Sequence, residues 1–349
     1  MLAVRIHEHG GPHVLALDSL PPPGPPGEGQ VTVAMRAAGL NHLDLWVRNG
    51  LPGMRLPLPL TMGSDGAGTV LAVGQHVAGV AVGDDVVIQP GVYCGSCPAC
   101  LAGRENMCAK FGILGETQDG VQTELAVVSA ANVGPKPAAL SFEEAASVVL
   151  VFMTAYQMLV RRADLRPGET VLVIGGSSGV GAAAIQIAAH LGARIIATAA
   201  AGAKTDFARE QGAHEVVDHY QENWYRQVLE IAGPDKVSVV CEHVGAATWD
   251  QSVRTMGLGA RLVVCGATTG SSVTIDLRHV YRKQQTFLGS TMGDMATFQA
   301  VLRGFEAGDY RPIVDRVFPL AEIAAAHGYL EGSQQRGKVV VSITADANS

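Results

Sequence analysis

Cys94, Cys97, Cys100 and Cys108 are spaced C-x2-C-x2-C-x7-C within the segment CGSCPACLAGRENMC. Thiolates are soft ligands for a tetrahedral metal, and short turns let neighbouring ones share a single ion. Gly91, Gly95, Pro98 and Gly103 supply those turns. Four thiolates complete the ligand set and leave no position for water or substrate, so the expectation is one structural Zn2+ rather than a catalytic one. Disulfides are the competing reading and the lesser one. Met1 leads straight into the strand-like LAVRI, so no signal peptide is expected, and clustered cysteines in a chain expected to be cytosolic point to metal. Cys241 and Cys265 lie in apolar strand-like runs and read as buried thiols.

A second chemical feature follows the apolar run TVLVIGG, which leads into SSGVGAAAIQIAAHLG. Gly176 and Gly181 take the first and third places of G-x-G-x-x-G, with Ser178 at the second and Gly179 and Val180 between. Small residues there permit a tight turn, close backbone approach to a pyrophosphate and close helix–sheet packing. An ordinary βα turn would look similar. The strand before the loop and the alanine-rich helix after it favour a dinucleotide site. The next strand ends RIIATAAAGAK. Ala199 stands where an acid would hold the ribose 2′-hydroxyl of NAD, and Lys204 follows. Loss of the carboxylate removes repulsion against a 2′-phosphate, and a lysine attracts one, so the expected cofactor is NADP(H). Lys204 is almost as well read as a solvated lysine at a helix start, and the missing acid carries more of the argument.

These residues need elements to hold them. The chain has 349 residues, 48% of them hydrophobic, 5% aromatic, with 42 glycines and a formal charge of −7. That length suggests two domains of small aliphatic packing. The negative charge argues against a nucleic-acid partner. No apolar run is expected to reach the ~20 residues that span a bilayer, so the expectation is a soluble, cytoplasmic protein acting on a small molecule, with no membrane partner. Up to about residue 130 the chain reads as short strands between Gly and Pro turns, including VTVAMRAAG (31–39), GAGTVLAVG (66–74) and DDVVIQP (84–90). PPPGPPGEG (21–29) is a stiff surface connection. SFEEAASVVLVFMTAYQMLV then predicts one helix, with Ser141 as N-cap and Glu144 closing a capping box. Beyond it, TVLVIGG, RIIATAA, VSVVCE, ARLVVCG and TFLGS predict strands separated by helices, including one from Val180 to Leu191. That alternation is an α/β, doubly wound parallel sheet.

With these residues assembled, the chain resembles the medium-chain dehydrogenase/reductase superfamily over essentially its whole length, nearest to zinc-type alcohol dehydrogenases that shade into quinone oxidoreductases. The cysteine lobe and the segments AAGLNHLDLW, GSDGAG and LVFMTAYQ carry the resemblance. It implies a GroES-like β-rich domain over 1–140 with a zinc lobe at about 91–110, a Rossmann domain over 141–295, and a return to the first domain over 296–349. It also implies nicotinamide hydride transfer. A homodimer or homotetramer is expected, with the choice open.

The resemblance breaks at the catalytic metal. In the family's alcohol dehydrogenases a Cys, a His and a second Cys hold a catalytic zinc. Here Asn41 stands in the G-x-C-H-x-D segment in place of the first Cys, Ser64 in G-H-E-G-x-G in place of the His, and Leu150, four residues before Thr154, in place of the last ligand. Leu43 takes the proton-relay position. Asp44 and Asp65 match structural carboxylates, and the Asn at 41 matches the quinone oxidoreductase pattern, where it lies near the nicotinamide ribose. Carried over in the same way as cofactor contacts are His42, Thr154, Val244 and Gly245, Gly266 and Ala267, Ser290 with Thr291, and Lys338. A strand-end turn is the alternative for each of these glycines. His42 and Tyr93 are the candidates for a proton donor. The expectation is an NADP(H)-dependent oxidoreductase that passes hydride to a quinone or α,β-unsaturated carbonyl without a catalytic metal. Its rivals are an alcohol or aldehyde dehydrogenase with an atypical metal site and a non-enzymatic NADPH-binding protein. The segment 47–60 is expected to shape the substrate pocket.

Overall fold

The computed structural model describes residues 1–51, 53–234 and 236–343. Two compact units divide the chain: Met1–Leu150 with Asp294–Ser349, and Val151–Gly293. Residue 52, within the expected pocket segment 47–60, lies outside the described residues.

In the first unit the sequence alternates short apolar runs with turns, and the runs pair into a mainly antiparallel sheet. Its spatial order is Val133–Pro135, Asp85–Ile88, Asp65–Val73, Gln30–Gly39, Lys338–Ser342 and Val314–Pro319, with Leu125–Ser129 also pairing to Gln30–Gly39. Gln30–Gly39 is buried on both faces for most of its length, which suits its run of Val and Ala. Val31, Val33, Met35, Val86, Ile88, Val339 and Val341 belong to one apolar cluster beneath it. Strand Lys338–Ser342 arrives from far along the chain and lies antiparallel to Gln30–Gly39, with Val340 opposite Gly39. Gly39 must be glycine, because a Cβ there would lie 2.3 Å from the Ala146 carbonyl oxygen. The cysteine segment leaves this unit as a lobe whose neck is a two-residue antiparallel ladder, Gly91 opposite Ile113 and Val92 opposite Gly112.

The second unit is a six-stranded parallel sheet in the order Glu215–Asp218, Arg194–Ala199, Thr170–Val173, Val237–Glu242, Met256–Val264, Thr286–Gly289. Numbered along the chain this is 3-2-1-4-5-6, the dinucleotide-binding order. Strand Thr170–Val173 is buried at every position, as a central parallel strand must be. Glu215–Asp218 is absent from the sequence expectation, and its composition explains why. EVVD is bounded by acids and buries only Val217, so no apolar run announces it.

The segment after Ser141 departs from a single helix. Its capping box forms: Ser141 Oγ accepts from Glu144 N at 3.1 Å and Glu144 Oε2 accepts from Ser141 N at 2.8 Å. The α-helical turn Phe142–Ala145 then gives way to turn residues before the helix resumes at Val149–Tyr156 and continues as a π-helix over Gln157–Arg162. At the interruption Leu150 N donates to Asp65 Oδ1 at 2.8 Å, so a side chain takes a backbone donor from the ladder. Phe142–Arg162 spans 21 residues and contains an 18-residue window of mean hydropathy 1.3, which corrects the expectation that no segment is long and apolar enough to cross a bilayer. Its most apolar stretch is 78% buried in the protein, so its composition is that of a core helix.

Candidate functional site

At the carboxyl end of Thr170–Val173 the chain turns through Gly175 at φ 64°. Ser178 then caps helix Gly179–His190, its Oγ accepting from Gly181 N at 3.0 Å. A Cβ on Gly181 would lie 2.1 Å from the Gly175 carbonyl oxygen, and one on Gly176 would lie 2.9 Å from the Ala197 methyl. The glycines at the first and third places are therefore demanded by packing, while the second place holds a capping serine. First-turn N–H groups at Gly179 and Val180 have no intrahelical acceptor and face half-exposed space, with the positive end of the helix behind them. Such a helix start suits an anionic group such as a pyrophosphate.

Neighbouring strand ends are laced to this loop. His243 Nε2 lies 3.3 Å from Ser178 Oγ, and burial pulls the ring down to about 4, so it is neutral near pH 7. The buried Glu242 carboxylate accepts from Val244 N at 2.7 Å, Gly245 N at 3.1 Å and Ser252 Oγ at 2.8 Å. Thr268 Oγ1 donates to His243 O, and Thr269 Oγ1 to Val244 O. A Cβ on Gly245, whose φ is 91°, would lie 2.9 Å from Ala267 Cα. The loops 176–181, 244–245 and 266–267 are thus brought together at one end of the parallel sheet, where this strand order binds ligands. Ser290 follows the edge strand, and its Oγ is buried without a hydrogen-bond partner. The cradle of small residues, the open helix start and this orphaned hydroxyl fit a dinucleotide.

Ala199 is the last residue of Arg194–Ala199 and is buried. Lys204 is the second residue of helix Ala203–Glu210. Two neighbours were not legible beforehand because they sit at the end of the unannounced strand. His219 Nδ1 lies 3.2 Å from Thr198 Oγ1; burial lowers its pKa, Asp218 opposes that, and the charge of Lys204 adds to it. The Asp218 carboxylate accepts from Tyr220 N at 3.0 Å and Gln221 Nε2 at 3.1 Å, contacts that lower its pKa.

The first unit holds the residues that the resemblance sets at the positions of a catalytic metal's ligands. Asn41 precedes helix His42–Asn49, and its backbone N–H is accepted by Asp44 Oδ2 at 2.7 Å. Its Nδ2 donates to Asp65 Oδ2 at 3.0 Å. Lys338 Nζ donates to Asn41 Oδ1 at 2.5 Å and to Asp65 Oδ2 at 3.0 Å. Lys338 is 2% exposed, Asp65 0% and Asp44 1%, so an ammonium and two carboxyls share one water-poor space. Burial raises the Asp44 carboxyl to about 7, although the Asn41 N–H and Lys338 pull it down. Ser64 Oγ donates to Leu114 O at 2.8 Å. Leu150 is a buried aliphatic whose N–H is the one given to Asp65. Lys338 was expected at the cofactor; the structure places its amine on Asn41 and Asp65. His42 is half-buried, its ring 6.4 Å from that of Trp46. Tyr93 stands beside the cysteine lobe, its phenol raised by burial and then by Glu105 and Cys100. Thr154 is buried on helix Val149–Tyr156, in the second unit.

The four cysteine sulfurs lie within 4.8 Å of one another. Cys97–Cys100, Cys94–Cys108 and Cys94–Cys100 are separated by 3.5, 3.6 and 3.9 Å. Tetrahedral zinc with bonds of about 2.3 Å sets sulfurs about 3.8 Å apart, so the donor set fits that ion. Lys110 N donates to Cys108 Sγ at 3.3 Å, the kind of outer contact that orients a ligating thiolate. Among the described residues this is the one convergent group of three or more His, Cys, Asp or Glu ligands.

Two known families match the two kinds of architecture. Residues 27–138 match the alcohol dehydrogenase GroES-like domain, and residues 179–307 match the zinc-binding dehydrogenase family. A quinone oxidoreductase of Pseudomonas aeruginosa is 32% identical, over 97% of this chain and 98% of its own length. A solved NAD-dependent alcohol dehydrogenase is 43% identical with a TM-score of 0.95, covering 99% of this chain and 100% of its own. A crotonyl-CoA carboxylase/reductase solved in complex with NADP is 26% identical with a TM-score of 0.91, covering 99% of this chain and 95% of its own.

Proposed function

This chain belongs to the medium-chain dehydrogenase/reductase superfamily, close to its quinone oxidoreductases, and on that footing we propose that it is an NADP(H)-dependent oxidoreductase reducing a quinone or α,β-unsaturated carbonyl without a catalytic metal. The observation that carries this reading is the donor set. The positions of the three lost ligands hold an amide tied into an ion pair, a hydroxyl spent on a backbone carbonyl and an aliphatic side chain. An open zinc site needs three protein donors. A simple ketone or alcohol relies on such a Lewis acid, whereas a conjugated acceptor takes hydride without one.

Bound nicotinamide supplies the hydride. The loop at Gly176, Ser178, Gly179, Val180 and Gly181 receives the pyrophosphate, Lys204 takes the 2′-phosphate that Ala199 does not repel, and Val244, Gly245, Gly266, Ala267 and Ser290 border the nicotinamide half. Asn41, His42 and Thr154 are the further contacts assigned to it. With that hydride supplied, the proton would come from solvent or from His42, and the product would be hydroquinone or saturated carbonyl. The cysteine lobe holds one structural Zn2+ and takes no part in the transfer. In strand order, Thr286–Gly289 ends the parallel sheet with one edge unpaired among the described residues, a surface suited to pairing with a second copy.

The test is a panel of NADPH and NADH with quinones, enones and simple alcohols. Quinone or enone reduction with NADPH is expected, with alcohols nearly inert. Lys204→Ala should weaken NADPH about ten- to a hundredfold, the worth of a charge-assisted hydrogen bond, and leave NADH nearly unchanged. Tighter NADH binding by the native protein rejects the cofactor assignment, and efficient chelator-sensitive alcohol oxidation rejects the metal-free reaction.

A further inference from the structure

We propose that Lys338 is a positioning residue for Asn41, its buried ammonium serving as the fixed cation of the space that relatives give to a metal. The inference rests on the metal-free reading above and adds what replaces the metal.

The bonds leave Asn41 a single amide orientation. Its Oδ1 faces the Lys338 ammonium at 2.5 Å, and its Nδ2 faces Asp65 Oδ2 at 3.0 Å and Gly39 O at 3.4 Å. Flipping the amide would set an NH2 against an ammonium and a carbonyl oxygen against a carboxylate, both repulsive. Lys338 also binds the same Asp65 oxygen at 3.0 Å, so amide, carboxylate and ammonium form a closed triangle. The other Asp65 oxygen takes the Leu150 N–H. Two of the three lost ligand positions are therefore knitted to one ion pair. With Lys338 and Asp65 at 2% and 0% exposure, solvent cannot substitute for either partner. Removing the ammonium alone would strand a buried carboxylate and free the amide. Asn41 also begins helix His42–Asn49 and is held to it through Asp44, so its placement sets where that helix starts. An ammonium has three donors and no coordination position to offer. It can orient Asn41 but cannot bind an acceptor oxygen as an open zinc does.

The test uses the full chain and the variant Lys338→Met combined with Asp65→Asn, which removes both charges together. The first readout needs no turnover: hydrogen exchange of the Asn41 side-chain amide followed by NMR. Exchange at least about tenfold faster than in the native protein is expected once the triangle is broken. The second readout is steady-state NADPH oxidation with a quinone, with NADPH affinity measured separately by fluorescence. kcat/KM should fall roughly ten- to a hundredfold while NADPH affinity stays within about threefold. In an Asn41→Ala background the same pair should cost nothing further, because Lys338 acts through Asn41. Unchanged exchange at Asn41, or losses that multiply in the Asn41→Ala background, overturns the proposal. If the double variant does not fold, Asp65→Ala alone, which removes the acceptor at the other corner of the triangle, must speed the same exchange, and unchanged exchange there is equally fatal. A native protein that reduces no quinone or enone defeats the functional reading, while the exchange experiment still decides the role of Lys338.

Discussion

Asp44 carries the clearest single-residue consequence. An unfolded aspartate titrates near 3.9, and burial holds this one at about 7. Between those values the native state keeps a proton that the unfolded chain has released, so this carboxyl subtracts stability as pH rises from about 4 to 7, by as much as about 4 kcal/mol. Asp44→Asn keeps an acceptor for the Asn41 N–H and removes the titration. The variant should match the native protein near pH 4 and exceed it by a few kcal/mol above pH 7, read from urea unfolding at each pH. An unchanged pH dependence would contradict the assignment. The residues legible beforehand were those whose partners are local. The cysteine spacing and the glycine loop announce themselves within a turn or two. Asn41 was readable as a lost ligand, but its partner Lys338 lies 297 residues away. No spacing connects the two, and the resemblance pointed Lys338 toward the cofactor instead.

At the scale of elements, the geometry of the cysteine lobe predicts that it depends on a bound zinc more than on its strands. Its neck is a ladder of two residue pairs, and so short a hairpin has little stability of its own in water. The lobe exposes Leu101 and Met107 and buries little beyond Cys100 and Cys108. About one zinc per chain is expected by elemental analysis, from one complete four-thiolate site. Cys97→Ser with Cys100→Ser should abolish it and open residues 94–108 to limited proteolysis, leaving the parallel sheet intact by circular dichroism. Two zinc equivalents, or zinc retained by that variant, would refute the site. Elements with strong apolar runs were readable, and their alternation with helices pointed to a parallel sheet; the order of its strands comes from the structure. The interrupted helix after Ser141 was not, because its break answers to Asp65, a residue on a distant strand.

Across the whole molecule, two histidines act against Asp44. Burial lowers His243 to about 4, and burial with Arg48 lowers His327 to about 3. Each therefore lends stability that is present above about 6.5, where the unfolded histidine is neutral, and is lost as pH falls toward the folded value. Asp44 contributes in the opposite sense over much of the same window and offsets one of the two histidines, so the native profile should be less steep than they alone would make it. Asp44→Asn should unmask a steeper loss between pH 6.5 and 4, and His327→Gln should soften it. A profile indifferent to both substitutions would show that these groups are not buried as described.

The pairing of Lys338–Ser342 with Gln30–Gly39 also bears on how the protein is made. A ribosome releases the strand Gln30–Gly39 long before its neighbour exists, and domains fold as units when their pieces are all present. The sheet of the first unit must wait with an open edge while Val151–Gly293 emerges and has everything it needs to fold. The first unit can therefore be completed only after the second has emerged, and the residue that closes the buried triangle is made long after its two partners. A nascent chain stalled before Lys338 would hold a finished second unit and an unfinished first one, exposing an apolar strand edge of the sort that chaperones cover.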